Sequence, residues 1–327
     1  MDGEIPTREM MLATMAAKPK GGAAPPFDRL LTLRESGVSI DVEPPEPRWS
    51  YTRTDFDDGL EVGVVERGLV GMLVGYPGIG KSTIALGAAV STACGCDWLG
   101  WHPNETGRVL FATAEESQLH VLRRLYRLTR ALNLSRAQLD AVERNVVVWP
   151  LRGEAVAMVQ GEAGAYAPTS FALTLREQLD RVEHALVLVD PLSRFGGPDT
   201  ETSNAAGTAF VRELEALTEG RGNPTVLFSH HVGKVAKEVL GTMYAARGSS
   251  SLSGAVKWQA NINAIEDERG GTWGVSIKST KSNYAAPPPV LCMKWEAGTL
   301  RLASAAERRA LDETKKAAKT RSEEHGR

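Results

Sequence analysis

The stretch from Gly75 to Thr83, GYPGIGKST, constrains this chain more than any other. Three glycines and a proline within six positions suit neither a helix interior nor a strand interior, so the composition must serve a backbone shape. The residues fill the pattern G-x-x-x-x-G-K-[ST], with an apolar run before it and the helical pattern TIALGAAVSTA after it. Glycines allow successive amides to turn inward around a polyanion, and the first turn of the next helix offers its amides to the same phosphates. Gly75, Pro77, Gly78, Ile79, Gly80, Lys81, Ser82 and Thr83 are therefore the expected cradle for ATP. Lys81 would reach the β and γ phosphates, and the Ser82 hydroxyl would ligate Mg²⁺.

Around this loop, short apolar runs alternate with helical patterns. The runs are Gly71 to Gly75, Arg108 to Ala114, Val146 to Leu151, Ala185 to Asp190 and Thr225 to His230. Each is continuous rather than alternating, as expected of central strands covered on both faces. Helical patterns occupy Lys81 to Cys94, Glu116 to Leu132, Ala172 to Glu183 and Asn204 to Glu219. This succession predicts an α/β fold, a mainly parallel sheet flanked by helices. WQANINAIED, TWGVSIKST and VLCMKWE then follow with turns between them and predict a C-terminal antiparallel extension. The expected division is a 1–48 extension and linker, a 49–303 core and a charged 304–327 tail. A short helix is expected over RLLTLRESG, and a frayed one within the tail.

Hydrolysis needs a magnesium-side carboxylate and a group that positions water. LVLVD ends an apolar strand in Asp190, the expected second Mg²⁺ contact. VLFATAEES ends another in Glu115 and Glu116; Glu115 is the favoured catalytic carboxylate and Glu116 its substitute. VLFSHH supplies His230 and His231, of which His230 is favoured at the γ phosphate. Arg123, Arg124, Arg127 and Arg130 read as the solvated face of an amphipathic helix.

Taken in order, GYPGIGKST, VLFATAEES, ALVLVDPLSRFGG, VLFSHHVGK, RGSSSLSGAVKW and KSTKSNY resemble the RepA-like hexameric replicative helicases of plasmids and phages. The resemblance runs from about Trp49 to Trp295 and implies a RecA-like P-loop NTPase core, with nucleotide held between neighbours in a homo-oligomeric ring. By the same resemblance Lys81, Ser82, Glu115, Asp190 and His230 act in cis, while Arg247 is an arginine finger and Lys281 a second cationic finger. The segments after the Asp190 and His230 strands would face single-stranded DNA, with Arg194, Lys234 and Lys237 as phosphate contacts. Asp199 and Glu201 in the first of these segments run against that role. A regulatory ATPase acting on a protein partner and a strand-exchange recombinase are the competing functions.

The formal net charge of -2 means that any attraction to nucleic acid must be local. Three cysteines, Cys94, Cys96 and Cys292, form no disulfide framework and fit a reducing compartment. A zinc site built on Cys94, Cys96 and His102 lacks a second ligand pair. No secretory pattern opens the sequence and no segment approaches the ~20 apolar residues of a bilayer span, so a cytoplasmic protein without membrane contact is expected.

Overall fold

The computed structural model describes residues 32, 40–43, 46–54, 59–162, 165–232, 242–246, 250–267, 270–311 and 313. The chain divides into two units, Met1–Arg48 and Trp49–Arg327, and every element below belongs to the second. Apart from Thr32, the helix expected over RLLTLRESG lies outside the described residues.

Two antiparallel strands, β1 (Trp49–Thr54) and β2 (Glu61–Glu66), open this unit. The phosphate-loop strand β3 (Val70–Gly75) follows and leads through the loop into helix α1 (Lys81–Cys94). A two-residue strand, β4 (His102–Pro103), returns to β1. Then come β5 (Val109–Thr113), α2 (Gln118–Ala131), α3 (Arg136–Asn145) and β6 (Val146–Pro150). A small hairpin, β7 (Val159–Glu162) and β8 (Ala165–Pro168), precedes α4 (Ser170–Arg181). Strand β9 (Leu186–Asp190), the short α5 (Leu192–Phe195), α6 (Asn204–Thr218) and β10 (Thr225–His231) complete the central part. After α7 (Ser250–Ala255) the chain forms β11 (Trp258–Glu266), β12 (Thr272–Ser282), β13 (Leu291–Glu296) and β14 (Thr299–Leu302).

The main sheet has nine strands in the order β14-β13-β12-β11-β3-β10-β9-β5-β6. From β11 to β6 every pairing is parallel, and from β11 to β14 every pairing is antiparallel. The expected extension is therefore present, attached beside the phosphate-loop strand. Residues of β3, β5 and β9 are buried throughout because helices cover both faces. One apolar cluster fills the face carrying α1 and α2 and includes Leu73, Ile84, Leu86, Leu125 and Leu188. The other fills the opposite face under α4 and α6, around Met72, Leu175, Val189, Phe210 and Phe228.

Several elements went beyond the expected pattern, among them β1, β2, β4, the β7–β8 hairpin and α3. Helix α3 starts on a capping box, in which Ser135 and Gln138 each bond the other's backbone amide. The β13–β14 hairpin turns through Ala297 (φ 49°) and Gly298 (φ 77°) and curls back onto α1 and α2. Both turn residues are left-handed, the geometry that matches strand twist in a two-residue hairpin. Past β14, residues 305–311 are helical, and Glu307 anchors them by accepting from Arg301 and from Lys294 at 2.8 Å.

The N-terminal strands brace α1. The buried Tyr51 hydroxyl lies 3.0 Å from Ala88 O, to which it donates, and 2.6 Å from Thr92 Oγ1. Its ring begins an aromatic series through Trp98 (5.0 Å), Trp101 (5.3 Å) and Trp258 (6.2 Å) that reaches β11. Tyr51→Phe, which keeps the ring and deletes the hydroxyl, is expected to lower unfolding free energy by on the order of 1–3 kcal/mol, measured by urea denaturation.

Candidate nucleotide site

Parallel pairing brings the C-terminal ends of β3, β10, β9 and β5 to one edge, where open α/β sheets bind ligands. Gly75 pairs with His231 and Thr113 with Asp190, so four chain segments end together. A cavity of about 340 Å³ opens there. Its walls include Gly78, Gly80, Lys81, Ser82, Thr83, Glu115, Glu116, Asp190 and His231.

The loop holds its shape through local constraints. Gly78 (φ 76°) and Gly80 (φ 108°) occupy left-handed conformations, and the Ile79 side chain is buried as an anchor. A Cβ on Gly80 would lie 3.0 Å from Trp295 Cζ2 and 3.1 Å from Leu300 Cδ1, so the C-terminal hairpin rests directly on the loop.

Lys81 is buried, and its ammonium donates to Gly75 O at 2.9 Å and Tyr76 O at 3.0 Å and meets His231 Nδ1 at 3.2 Å. Burial pulls it down to about 8, against the opposing pull of Asp190 and Glu115. Asp190 is also buried, and Ser229 donates to its Oδ1. A hydroxyl from Ser82 and a carboxylate from Asp190 on one cavity form a donor set suited to a hard divalent cation such as Mg²⁺.

The two glutamates after β5 separate by environment. Glu116 is paired with Arg124 at 2.6 Å, and its carboxyl is held above the usual range, chiefly by burial, with Arg124 opposing. Glu115 is about half exposed, and among the ion pairs of the described residues the guanidinium nearest it is the distant Arg194, with Nε at 3.9 Å.

Several sequence expectations require revision. His230 is fully buried and faces Glu201 Oε1 at 3.7 Å, away from the cavity, whereas His231 lines it. The reason is strand alternation: on β10, Ser229 and His231 share the cavity side and His230 the other. Arg124 and Arg127 are not merely a solvated face, because both line the cavity from α2. The expectation for Lys281 concerns a neighbour's nucleotide and is not revised by its position here: its ammonium donates to Ser253 O (2.9 Å) and Gly254 O (2.7 Å) near the end of α7, and burial lowers it. Arg247, Lys234 and Lys237 lie outside the described residues.

Sequence reasoning also missed Trp295 and Gly298, which form the wall facing the loop. A Cβ on Gly298 would sit 3.2 Å from Arg127 Nη1, so hairpin and α2 meet at the cavity's rim. The site therefore joins a cationic loop, three carboxylates and an aromatic wall. Among the described residues no helix is long and apolar enough to cross a membrane.

A family model described as an AAA domain matches residues 25–237, well over half of the chain. The match spans the phosphate loop, Glu115, Glu116, Asp190 and both histidines. Strands β11 to β14, with Trp295, lie beyond it.

The position of Lys81 gives a pH dependence. Its ammonium is charged below about 8 and loses its proton above, while a bound polyanion favours the charged form. Tripolyphosphate affinity is therefore expected to fall by up to about tenfold between pH 7 and pH 9. Calorimetry at pH 8.5 in two buffers of different ionisation enthalpy should detect proton uptake on binding.

Proposed function

This chain belongs to the AAA-domain family of P-loop ATPases, and from that premise we propose that it is an ATP-driven motor on single-stranded DNA. It would work as a homo-oligomeric ring, as a RepA-like replicative helicase or a phage replication and recombination ATPase. That family includes RepA-like helicases. The observation that carries this reading is the approach of Arg194, on α5 just after the Asp190 strand, to Glu115. A nucleic-acid phosphate that drew Arg194 away would change the field on Glu115, so strand binding and hydrolysis would be coupled.

In this reading the backbone amides of the loop and Lys81 neutralise the β and γ phosphates. Mg²⁺, held by Ser82 and Asp190, would offset charge on the same oxygens. Glu115 orients the attacking water and accepts its proton, and Glu116 stays engaged with Arg124. His231, beside Lys81, takes the phosphate-side role first assigned to His230. Trp295, in the wall facing the loop, would offer its ring to the base. Arg247 and Lys281 would serve the site of a neighbouring copy, where an added cation stabilises transition-state charge.

Asp199 and Glu201 favour a second reading, a regulatory ATPase that never moves along DNA, because both carboxylates oppose a phosphate backbone. ATPase rate with and without single-stranded DNA at low salt, alongside a strand-separation assay, decides between them. The motor requires stimulation and separation; failure of both leaves the regulatory ATPase.

Two sets of variants test the residue roles. Lys81→Ala is expected to lose nucleotide binding and turnover together, whereas Glu115→Gln should retain ATP and lose about 10²–10⁴-fold in turnover. Trp295→Ala should weaken ATP by roughly 5- to 150-fold, the worth of one stacked base, and leave tripolyphosphate affinity unchanged. Equal loss for both ligands would show that Trp295 supports the loop rather than the base.

A further inference from the structure

Helix α2 is apolar on two sides. Val121, Leu125 and Leu128 are buried against the sheet, while the reverse face presents Leu119 (55% exposed), Leu122 (47%) and Tyr126 (63%). At 3.6 residues per turn these three, with the exposed Arg123 and Arg130, fall within an arc of about 100° opposite the buried stripe. A surface helix needs one apolar stripe to hold it to the core, and a second marks a face that another molecule covers. The Arg130 guanidinium lies 5.3 Å from the Tyr126 ring centroid and holds the ring along the helix.

The other side of the sheet has a surface of matching character. On α4, Ala172, Leu175 and Leu179 are buried, and the outer face sets Leu173 (46% exposed) beside Glu177 and Asp180. Between α4 and the end of α6 lies a cavity of about 190 Å³, with Leu179, Ala216, Leu217 and Asp180 in its walls. One helix is thus apolar and basic, the other apolar and acidic. At 1.5 Å per residue they run roughly 21 Å and roughly 18 Å, so they match in length as well. The ion pairs that these helices make inside the molecule use other residues, Arg124 with Glu116 and Arg176 with Glu213.

We propose that α2 of one copy docks on α4 of the next, with Tyr126 entering the cavity between α4 and α6 and with Arg123 and Arg130 facing Glu177 and Asp180. The inference rests on the ring reading above and names the surfaces that build the ring. The two helices lie on opposite faces of one sheet, so a single partner cannot cover both. The contact is therefore head to tail, and its repetition generates a closed ring or an open helix rather than a two-fold dimer.

The parts of this contact have different roles. A tyrosine ring seated in a cavity is the kind of anchor that supplies most of an interface's affinity. Exposed charge pairs are individually weak, and they fix register and reject the wrong face. Arg124 and Arg127 of the same helix line the nucleotide cavity, so a copy docked on α2 sits beside its neighbour's nucleotide.

The test is charge reversal in the full chain, read by sedimentation velocity at low salt with Mg²⁺ and a slowly hydrolysed ATP analogue. Arg123→Glu with Arg130→Glu, and separately Glu177→Lys with Asp180→Lys, should each leave the chain monomeric. All four side chains are exposed, so both variants should melt like the natural chain. Mixed in equal amounts, the two variants should reassemble, because reversed α2 then meets reversed α4 and natural faces meet natural faces. Tyr126→Ala should weaken assembly by roughly 30-fold, and Tyr126→Phe should restore it. A variant that assembles alone, or a mixture that stays monomeric, overturns the proposal. So does an arginine variant that assembles normally but loses single-stranded DNA, which would make this face a nucleic-acid contact. A natural chain that stays monomeric sinks the ring reading too, whereas undiminished assembly of both variants sinks this interface alone.

Discussion

A buried ammonium governs this molecule. Lys81 sits where burial disfavours its charge; its ammonium donates to two loop carbonyls and lies 3.2 Å from the His231 imidazole. Those hydrogen bonds satisfy the donors, and the nearby carboxylates of Asp190 and Glu115 add a pull that favours the charge. The sheet exists in this form to bring those groups together. Parallel strands place the ends of β3, β5, β9 and β10 on one edge, so two loop carbonyls and an imidazole meet around one nitrogen, and two carboxylates share its cavity.

The rest of the site follows from that focus. A cavity with Lys81, Arg124 and Arg127 in its walls is built for phosphates, while Glu115, Glu116 and Asp190 keep it from being uniformly positive. The glutamates differ because one has a close guanidinium and the other does not. Fixed pairing suits Glu116 to hold α2 at the rim, and looser pairing leaves Glu115 able to engage a small polar reactant. His230 and His231 likewise divide between the faces of one strand, one toward the loop segment at Glu201 and one toward Lys81. Adjacent residues thereby touch both sides of the sheet.

How much of this was legible in the sequence depended on whether the signal was local. The parallel strands stood out because burial on both faces leaves unbroken runs such as LVLVD and TVLFS, and α1 was bounded by glycine at both ends. The loop announced itself through residues that only its backbone shape explains. What could not be read was parity and curl. Whether His230 or His231 meets the cavity depends on which face of β10 carries α1, a tertiary fact absent from HH. Trp295 and Gly298 join the loop only because the β13–β14 hairpin curls back on α1 and α2, and the turn responsible reads as Ala297-Gly298 rather than a strong hairpin pair. Arg124 and Arg127 looked solvated because helical periodicity reports an outward face without saying what stands across from it. Ser135 and Gln138 did carry a local capping signature ahead of α3.

The hairpin that rests on Gly80 has a consequence for the order in which the protein comes into being. The ribosome delivers the phosphate loop early and the indole of Trp295 more than two hundred residues later. A nascent chain can thus assemble the parallel strands and still present a groove walled on one side. Competence to enclose a nucleotide arrives with the last antiparallel strand, so catalytic maturity coincides with completion of the sheet.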